Sequence, residues 1–174
     1  MQENDEFSFD VHTSTPLTLL VRSFSDPGDA DESKLLSILR VVAQYMHRHV
    51  IGHGQIIWEQ GKPSDGLYIV ESGVLHVNTR FGPGSNVSET ILPGTIAGEL
   101  DFLSGRSRSG TCIAEIINDF GLTNETGIVW KLEQAGLEQA IEEDAAAVSA
   151  FIRLCLGYTA QNVGALMAFA FHVA

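Results

Sequence analysis

The 174-residue sequence is poor in several residue types, and each shortage excludes a class of protein. Its two cysteines, Cys112 and Cys155, are too few for a disulfide framework or a four-cysteine zinc site and fit a reducing compartment. The longest apolar run, residues 163–171, is about half of what a membrane-spanning helix needs. The acidic N-terminus lacks the basic and apolar segments of a secretory signal, so we expect a cytoplasmic location.

Basic residues are also scarce, since ten lysines and arginines face 22 acidic residues and leave a net charge of -12. Such a charge repels a nucleic-acid backbone, so nucleic acid is not an expected partner. The acids are concentrated in residues 1–35 and 131–144. The middle of the chain can still bind a small anion if a local arrangement overrides the overall sign.

The hydrophobic content of 44% supports one domain, and the spacing of the apolar residues indicates its class. Apolar residues at three-and-four spacing predict an amphipathic helix over residues 35–46. A period of two then predicts eight short strands, separated by glycines, over residues 50–52, 55–58, 67–71, 74–79, 87–92, 95–97, 111–116 and 127–132. The predicted fold is mainly β with flanking α-helices, an eight-stranded jelly-roll β-barrel.

The two ends of the chain frame this β region. Residues 1–32 are predicted to form an acidic tail with an apolar segment, 17–24, that docks on the domain. Residues 33–144 form the β-roll and end in a helix over 133–143, and residues 145–174 form a second C-terminal helix.

One stretch, residues 93–111, interrupts the strand pattern and carries the candidate chemistry. Residues 98–104 predict one or two helical turns, entered through a glycine and closed by Gly105. Unpaired amides at such a helix start favour a phosphate. Arg108 can fold back over them and contact two phosphate oxygens, and Glu99 can accept hydrogen bonds from a sugar hydroxyl.

These motifs resemble the cyclic-nucleotide-binding domain family over about residues 52–143. The resemblance rests on three motifs: Gly54-Gln-Ile-Ile-Trp-Glu-Gln-Gly, then Ser64-Asp-Gly-Leu-Tyr-Ile-Val-Glu-Ser-Gly-Val-Leu, and finally Gly98-Glu-Leu with Arg108 nine residues after the glutamate. The resemblance implies a non-catalytic regulatory domain with cyclic AMP or cyclic GMP as its ligand and no metal. It also makes the connection over residues 118–126 unusually long.

The resemblance further implies a role for each site residue. Gly98 and the amides near Leu100 and Ser109 would hold the cyclic phosphate, Arg108 would pair with its charge, and Glu99 would bind the ribose 2′-hydroxyl. Ligand binding would then reposition the C-terminal helix. We expect Arg108→Ala to abolish binding and to leave the fold intact.

Asp101 departs from this pattern, because related domains carry a small or apolar residue there. A carboxylate facing the pocket would oppose a phosphate, so we expect Asp101 to point to solvent.

A narrower resemblance is to the cytoplasmic C-terminal domain of fungal sulfate-permease-type anion transporters. It rests on residues 65–75, on Pro93-Gly-Thr-Ile-Ala-Gly-Glu-Leu and on Ile128-Val-Trp-Lys-Leu. It implies that the chain is the cytosolic tail of a membrane transporter, with the transporter domains as partners.

Two other functions are compatible with the predicted fold. A vestigial jelly roll can serve as an interaction module that binds no nucleotide. A cupin-type metal enzyme needs inward histidines and glutamates on adjacent strands, and His76 is the only histidine in the mid-barrel strands. The sequence contains no nucleophile elbow, zinc-protease histidine pair or P-loop, so we expect no enzyme.

Overall fold

The computed structural model describes residues 15–24, 32–116 and 126–172. Its helices are α1 (Pro16–Phe24), α2 (Glu32–Ala43), α3 (Glu99–Leu103) and α4 (Gln134–His172). Its strands are β1 (Met46–Gly52), β2 (Ile56–Trp58), β3 (Gly66–Ser72), β4 (Val74–Gly82), β5 (Ser85–Ile91), β6 (Ile96–Ala97), β7 (Thr111–Glu115) and β8 (Thr126–Glu133). The prediction of eight strands with flanking helices is confirmed for the described residues.

The strands form two separate four-stranded antiparallel sheets, so the prediction of a closed barrel is wrong. One sheet has the order β1-β8-β3-β6 and the other has the order β2-β7-β4-β5. The edge strand β6 is only two residues long and is followed at once by α3, which leaves too little ladder for pairing with the second sheet. The folded region is therefore a two-sheet roll with open edges in the part of the chain that is described.

Strand β3 shows how the layers are built, because it is buried on both faces. Leu67 and Ile69 belong to a core cluster shared with the helices. Tyr68 and Val70 point the other way, into a second cluster between the two sheets. Since successive side chains of a strand alternate, this sheet is a middle layer between the helices and the second sheet.

The N-terminal segment docks on the core as a helix, α1, which the sequence pattern did not predict. Leu19 and Leu20 are fully buried in the helical cluster. The hydroxyl of Thr15 accepts a hydrogen bond from the Thr18 amide and caps the helix start. The hydroxyl of Ser23 donates to the Gly94 carbonyl at 2.6 Å and so ties the helix to the turn before β6.

Helix α4 consists of two helical parts separated by Asp144, whose backbone angles are not helical. The Asp144 carboxylate accepts hydrogen bonds from the amides of Ala146 and Ala147, at 3.0 and 2.9 Å, and so caps the second part. The break lies at the junction that the sequence predicts between two helices. Within the described residues, no helix has the length and apolarity required to cross a membrane.

The long connection predicted at residues 118–126 lies outside the described residues except for its last position, Thr126, where β8 begins.

Candidate functional site

Gly98 links β6 to the short helix α3 and has a left-handed backbone, with φ of 72°. A Cβ atom at this position would lie 2.4 Å from Nη1 of Arg108 and 3.3 Å from the Trp58 ring. Only glycine permits both this backbone conformation and this close approach. Gly98 therefore lets the chain lie directly against a guanidinium group.

Arg108 is almost fully buried, with 2% of its surface exposed. Its Nη1 donates to the Gly98 carbonyl at 2.9 Å, and its Nη2 donates to Asp65 Oδ1 at 3.0 Å and to the Gly66 carbonyl. The guanidinium carbon lies 4.4 Å from the centre of the Trp58 ring, a cation–π distance. The positive charge is thus held inside the protein by oxygen acceptors and an aromatic face.

The third nitrogen of the guanidinium group, Nε of Arg108, is buried and has no hydrogen-bond partner among the described residues. Buried donors are nearly always satisfied, since an unpaired one costs free energy. In the same part of the chain, the only other such side-chain atom is Ser64 Oγ. The arginine therefore retains one donor for an acceptor that the described chain does not supply.

Asp65 positions the arginine and has a second partner. Its Oδ2 accepts a hydrogen bond from Lys131 Nζ at 2.7 Å, and Lys131 also donates to Glu133 at 2.9 Å. Partial burial opposes ionisation of Asp65, but hydrogen bonds from Lys131 and Arg108 hold its pKa below its usual value. The sequence indicated Asp65 only as part of a turn motif, and its contact with Arg108 is a feature of the folded chain.

A cavity of about 190 Å³ lies beside α3, between β5, β6 and α4. Gly98, Glu99, Leu100 and Ser109 all line it, so the structure brings together four of the five predicted site residues. Arg108 lies behind this wall, next to Gly98 and Ser109. The remaining lining is mixed in character: Trp58, Val77, Glu89, Ile91, Ile96, Ala97, Asp101, Tyr158 and Thr159.

Three carboxylates line this cavity, from Glu89, Glu99 and Asp101, and no described lysine or arginine does. Glu89 was not predicted, because only the pairing of β5 with β4 brings it to the site. Although its side chain is exposed overall, desolvation of the carboxyl and then the charge of Glu99 raise the pKa of Glu89. The wall of the cavity is therefore acidic, in contrast to the electropositive site expected for a phosphate.

Glu99, expected to bind a ribose hydroxyl, accepts a hydrogen bond from a hydroxyl of the protein itself. Oγ1 of Thr159, on α4, donates to Glu99 Oε1 at 2.7 Å. The contact joins the second part of α4 to the short helix α3 across the cavity. A group that replaces this hydroxyl would remove this polar link between α4 and α3.

Asp101 does not point to solvent, so that prediction is wrong. Its Oδ2 accepts hydrogen bonds from both the backbone amide and the hydroxyl of Ser109, each at 2.9 Å. The reason is the length of α3, since one short helix followed by a tight return brings Ser109 back beside the third residue of the helix. The amide expected to bind a phosphate is occupied by a carboxylate of the chain.

Metal and thiol chemistry gain no support in the described part of the chain. No group of three or more histidine, cysteine, aspartate or glutamate side chains there is placed to hold a metal ion, which leaves the cupin alternative without a site. Both cysteines are buried and free. Desolvation raises the pKa of Cys112 to about 12 and that of Cys155 well above its usual range, so both thiols stay protonated at neutral pH.

Comparison with known proteins supports the family that the sequence resembles. Residues 48–116 match the family model described as "Cyclic nucleotide-binding domain", and this range includes all five predicted site residues. No curated protein matches the chain. The match covers the stretch from β1 to β7, and the comparisons provide no support for the transporter tail.

Solved structures show the same fold at low sequence identity. A cyclic nucleotide-binding domain from Methylobacillus flagellatus KT has a TM-score of 0.69 at 15% identity, over 91% of this chain and 83% of that chain. The catabolite activator protein of Thermus thermophilus has a TM-score of 0.60 at 19% identity, over 90% and 63%. The regulatory domain of Toxoplasma gondii PKA, crystallised with cAMP, has a TM-score of 0.56 at 20% identity, over 81% and 48%.

Proposed function

We propose that this chain is a non-catalytic regulatory domain whose cavity beside α3 binds a cyclic nucleotide, cyclic AMP or cyclic GMP. The observation that carries the proposal is the meeting of Gly98, Glu99, Leu100 and Ser109 around one cavity, with the unpartnered Nε of Arg108 buried behind its wall. If the wall at Gly98 and Ser109 opens, an oxygen of a cyclic phosphate would supply the missing acceptor, and a charge-assisted hydrogen bond of this kind is among the stronger ones in proteins. The match of residues 48–116 to the family model supports the same ligand class.

The rest of the ligand would contact the remaining walls. The ribose hydroxyl would take the place of the Thr159 hydroxyl on Glu99, and the base would lie against the aromatic rings of Trp58 and Tyr158. The cavity, at about 190 Å³, is smaller than the roughly 300 Å³ at which small-molecule pockets begin. A displacement of α4 would enlarge the site and would convert its occupancy into a movement of the C-terminal helix.

The context of the domain is a further part of the proposal. The resemblance to fungal sulfate-permease-type transporters suggests a cytosolic tail, with α4 relaying the ligand state to transporter domains. Sequencing the transcript around this reading frame tests it, because an upstream transporter in the same frame is the expected result. A transcript without one would remove the transporter from the proposal and leave the ligand untouched.

The ligand is tested by titration calorimetry with cyclic AMP and cyclic GMP, together with thermal shifts at millimolar ligand. We expect heat from the wild type, no heat from Arg108→Ala, and wild-type binding from the matched control Arg106→Ala, an exposed arginine of the same loop. Absence of both heat and thermal shift for the wild type would refute the proposal.

The arginine variant needs a stability measurement beside it. The guanidinium group of Arg108 donates hydrogen bonds to Gly98, Gly66 and Asp65 inside the protein. Loss of this side chain should therefore lower the free energy of unfolding by about 2 to 4 kcal/mol. The expectation that Arg108→Ala leaves the fold intact is thus not supported by the structure. Urea unfolding gives the conditions under which the variant is still folded and its binding can be compared.

A second candidate is the interaction module that binds no nucleotide. It is favoured by the acidic cavity wall, where Glu89, Glu99 and Asp101 face the position of an anionic ligand. The same calorimetry separates the two candidates, because the module predicts no heat with either nucleotide.

A further inference from the structure

We infer that Asp101 decides whether this site accepts an external anion, because its carboxylate competes with the ligand for the two donors of Ser109. The inference deepens the proposed function and rests on it for the identity of the natural ligand. In the state described here, the Asp101 carboxylate stands where the phosphate of a bound nucleotide would be expected.

The geometry of this contact is that of an anion bound by two donors. One oxygen, Oδ2, lies 2.9 Å from both the amide nitrogen and the hydroxyl oxygen of Ser109. Ser109 directly follows Arg108, whose buried Nε has no acceptor. The chain thus presents three donors in two consecutive residues, and an acidic side chain of α3 accepts from two of them.

Asp101 differs from the other carboxylate near Arg108 in how its charge is compensated. Asp65 forms ion pairs with both Arg108 and Lys131. Among the described residues Asp101 forms no ion pair, and its hydrogen-bond donors, the amide and the hydroxyl of Ser109, are neutral groups. Both hydrogen bonds to Ser109 are exposed to solvent, so the carboxylate can leave Ser109 by rotation about its own side-chain bonds.

Because both groups are negatively charged, the Asp101 carboxylate and an entering phosphate cannot occupy the site together. With Asp101 in place, an entering phosphate would meet a third carboxylate in addition to Glu89 and Glu99, in a partly desolvated cavity where like charges repel more strongly than in water. The phosphate and the Asp101 carboxylate therefore do not share the site. The affinity of the wild type for an anion is reduced by the fraction of molecules in which Asp101 holds Ser109.

The test uses the full chain and two anionic probes, inorganic phosphate and cyclic AMP. The amide resonance of Ser109 is followed by two-dimensional NMR during titration of the wild type, Asp101→Ala and Asp101→Asn. We expect Asp101→Ala to bind each probe at least about tenfold more tightly than the wild type, a change equivalent to about 1.4 kcal/mol. Asp101→Asn should fall between them, since its amide oxygen can still accept from Ser109 without the charge.

The control is Glu142→Gln, which removes one exposed negative charge from α4, outside the cavity lining. It should bind both probes as the wild type does. If Glu142→Gln gains as much affinity as Asp101→Ala, the effect is one of net charge and the inference is overturned.

The outcomes separate this inference from the proposed function. Tighter binding of phosphate by Asp101→Ala, with no binding of cyclic AMP or cyclic GMP by any variant, would support the inference and refute the nucleotide. Equal binding of cyclic AMP by the wild type and Asp101→Ala would overturn the inference and support the nucleotide. If neither the wild type nor Asp101→Ala binds any of these anions, both are refuted.

Discussion

Gly98 and Arg108 lie so close together that the site needs both residues. Position 98 must carry no side chain, and position 108 must carry the guanidinium group that fills the space. The glycine carbonyl accepts from the guanidinium at 2.9 Å, and the space of a Cβ atom at Gly98 is filled by the same group. The left-handed backbone at Gly98 adds a second reason for glycine. At the scale of single residues, the two constraints on Gly98, its left-handed backbone and its close approach to Arg108, can be separated by experiment.

We predict that Gly98→Ala is more damaging than Gly105→Ala. Both glycines have positive φ, 72° and 65°, but a Cβ at Gly105 would meet nothing within 4 Å. The backbone strain common to both should lower the free energy of unfolding by about 1 to 2 kcal/mol. Gly98→Ala should lose more, because its Cβ collides with Arg108. Equal losses in urea unfolding would contradict the role given to the close approach.

At the scale of elements, the site is assembled from short pieces that meet at one point. Helix α3, strand β6 and the second part of α4 contribute Glu99, Ala97 and Thr159 to the same cavity. The contact between Thr159 and Glu99 is the polar link between α4 and α3 that the described residues show. The position of α4 should therefore respond to changes in this one hydrogen bond.

We predict that Thr159→Val loosens α4 with little loss of overall stability. Valine keeps the shape of threonine and removes the hydroxyl, so the free energy of unfolding should fall by about 1 kcal/mol. Hydrogen exchange of residues 145–160 should become faster. The control is Ser149→Ala, which removes an exposed hydroxyl on the same helix that accepts a hydrogen bond from Arg153. Unchanged exchange in Thr159→Val would show that the hydroxyl does not hold the helix.

At the scale of the whole molecule, acid has two opposite effects. Protonation reduces a net charge of -12 and so relieves repulsion throughout the chain. It also discharges Asp65, whose pKa is lowered in the folded state by Lys131 and Arg108. A carboxyl with a lowered folded pKa stabilises the protein above its ordinary pKa, and this contribution is lost as the pH falls through the folded value.

We therefore predict that Asp65→Asn is most destabilising near neutral pH. The difference in free energy of unfolding between wild type and variant should shrink below about pH 4, near the ordinary pKa of an aspartate. Urea unfolding at several pH values measures it. A difference that stays constant from pH 7 down to pH 3 would contradict the role of the ion pairs.

Much of the architecture could be predicted from the sequence, because strands and turns are encoded locally. The period of two and the glycines place all eight strands, and the spacing of Glu99 and Arg108 indicates the site. Barrel closure could not be predicted in the same way, since it depends on how far the edge strand β6 extends before α3 begins. Helix α1 was missed as a helix, although its burial was expected.

The chemistry of the cavity was harder to predict than its position. Glu89 reaches the cavity through the pairing of β5 with β4, and nothing in its neighbouring residues signals this. The direction of the Asp101 side chain depends on the return of the chain at Ser109, about one helical turn and a loop later. The spacing of Glu99 and Arg108 identifies the residues of the site. It does not indicate that the amide and the hydroxyl of Ser109 already donate to Asp101.

The capping of α4 by Asp144 gives the C-terminal segment an unusual mechanical property. Because the second part of the helix begins its own ladder of hydrogen bonds at this residue, a change of direction at Asp144 breaks no hydrogen bond within the first part. From Asp144 to Thr159 the rod is about 22 Å long. A rotation of about 10° at Asp144 would carry its far end through about 4 Å, against the packing of Val148, Phe151 and Cys155 in the helical core cluster.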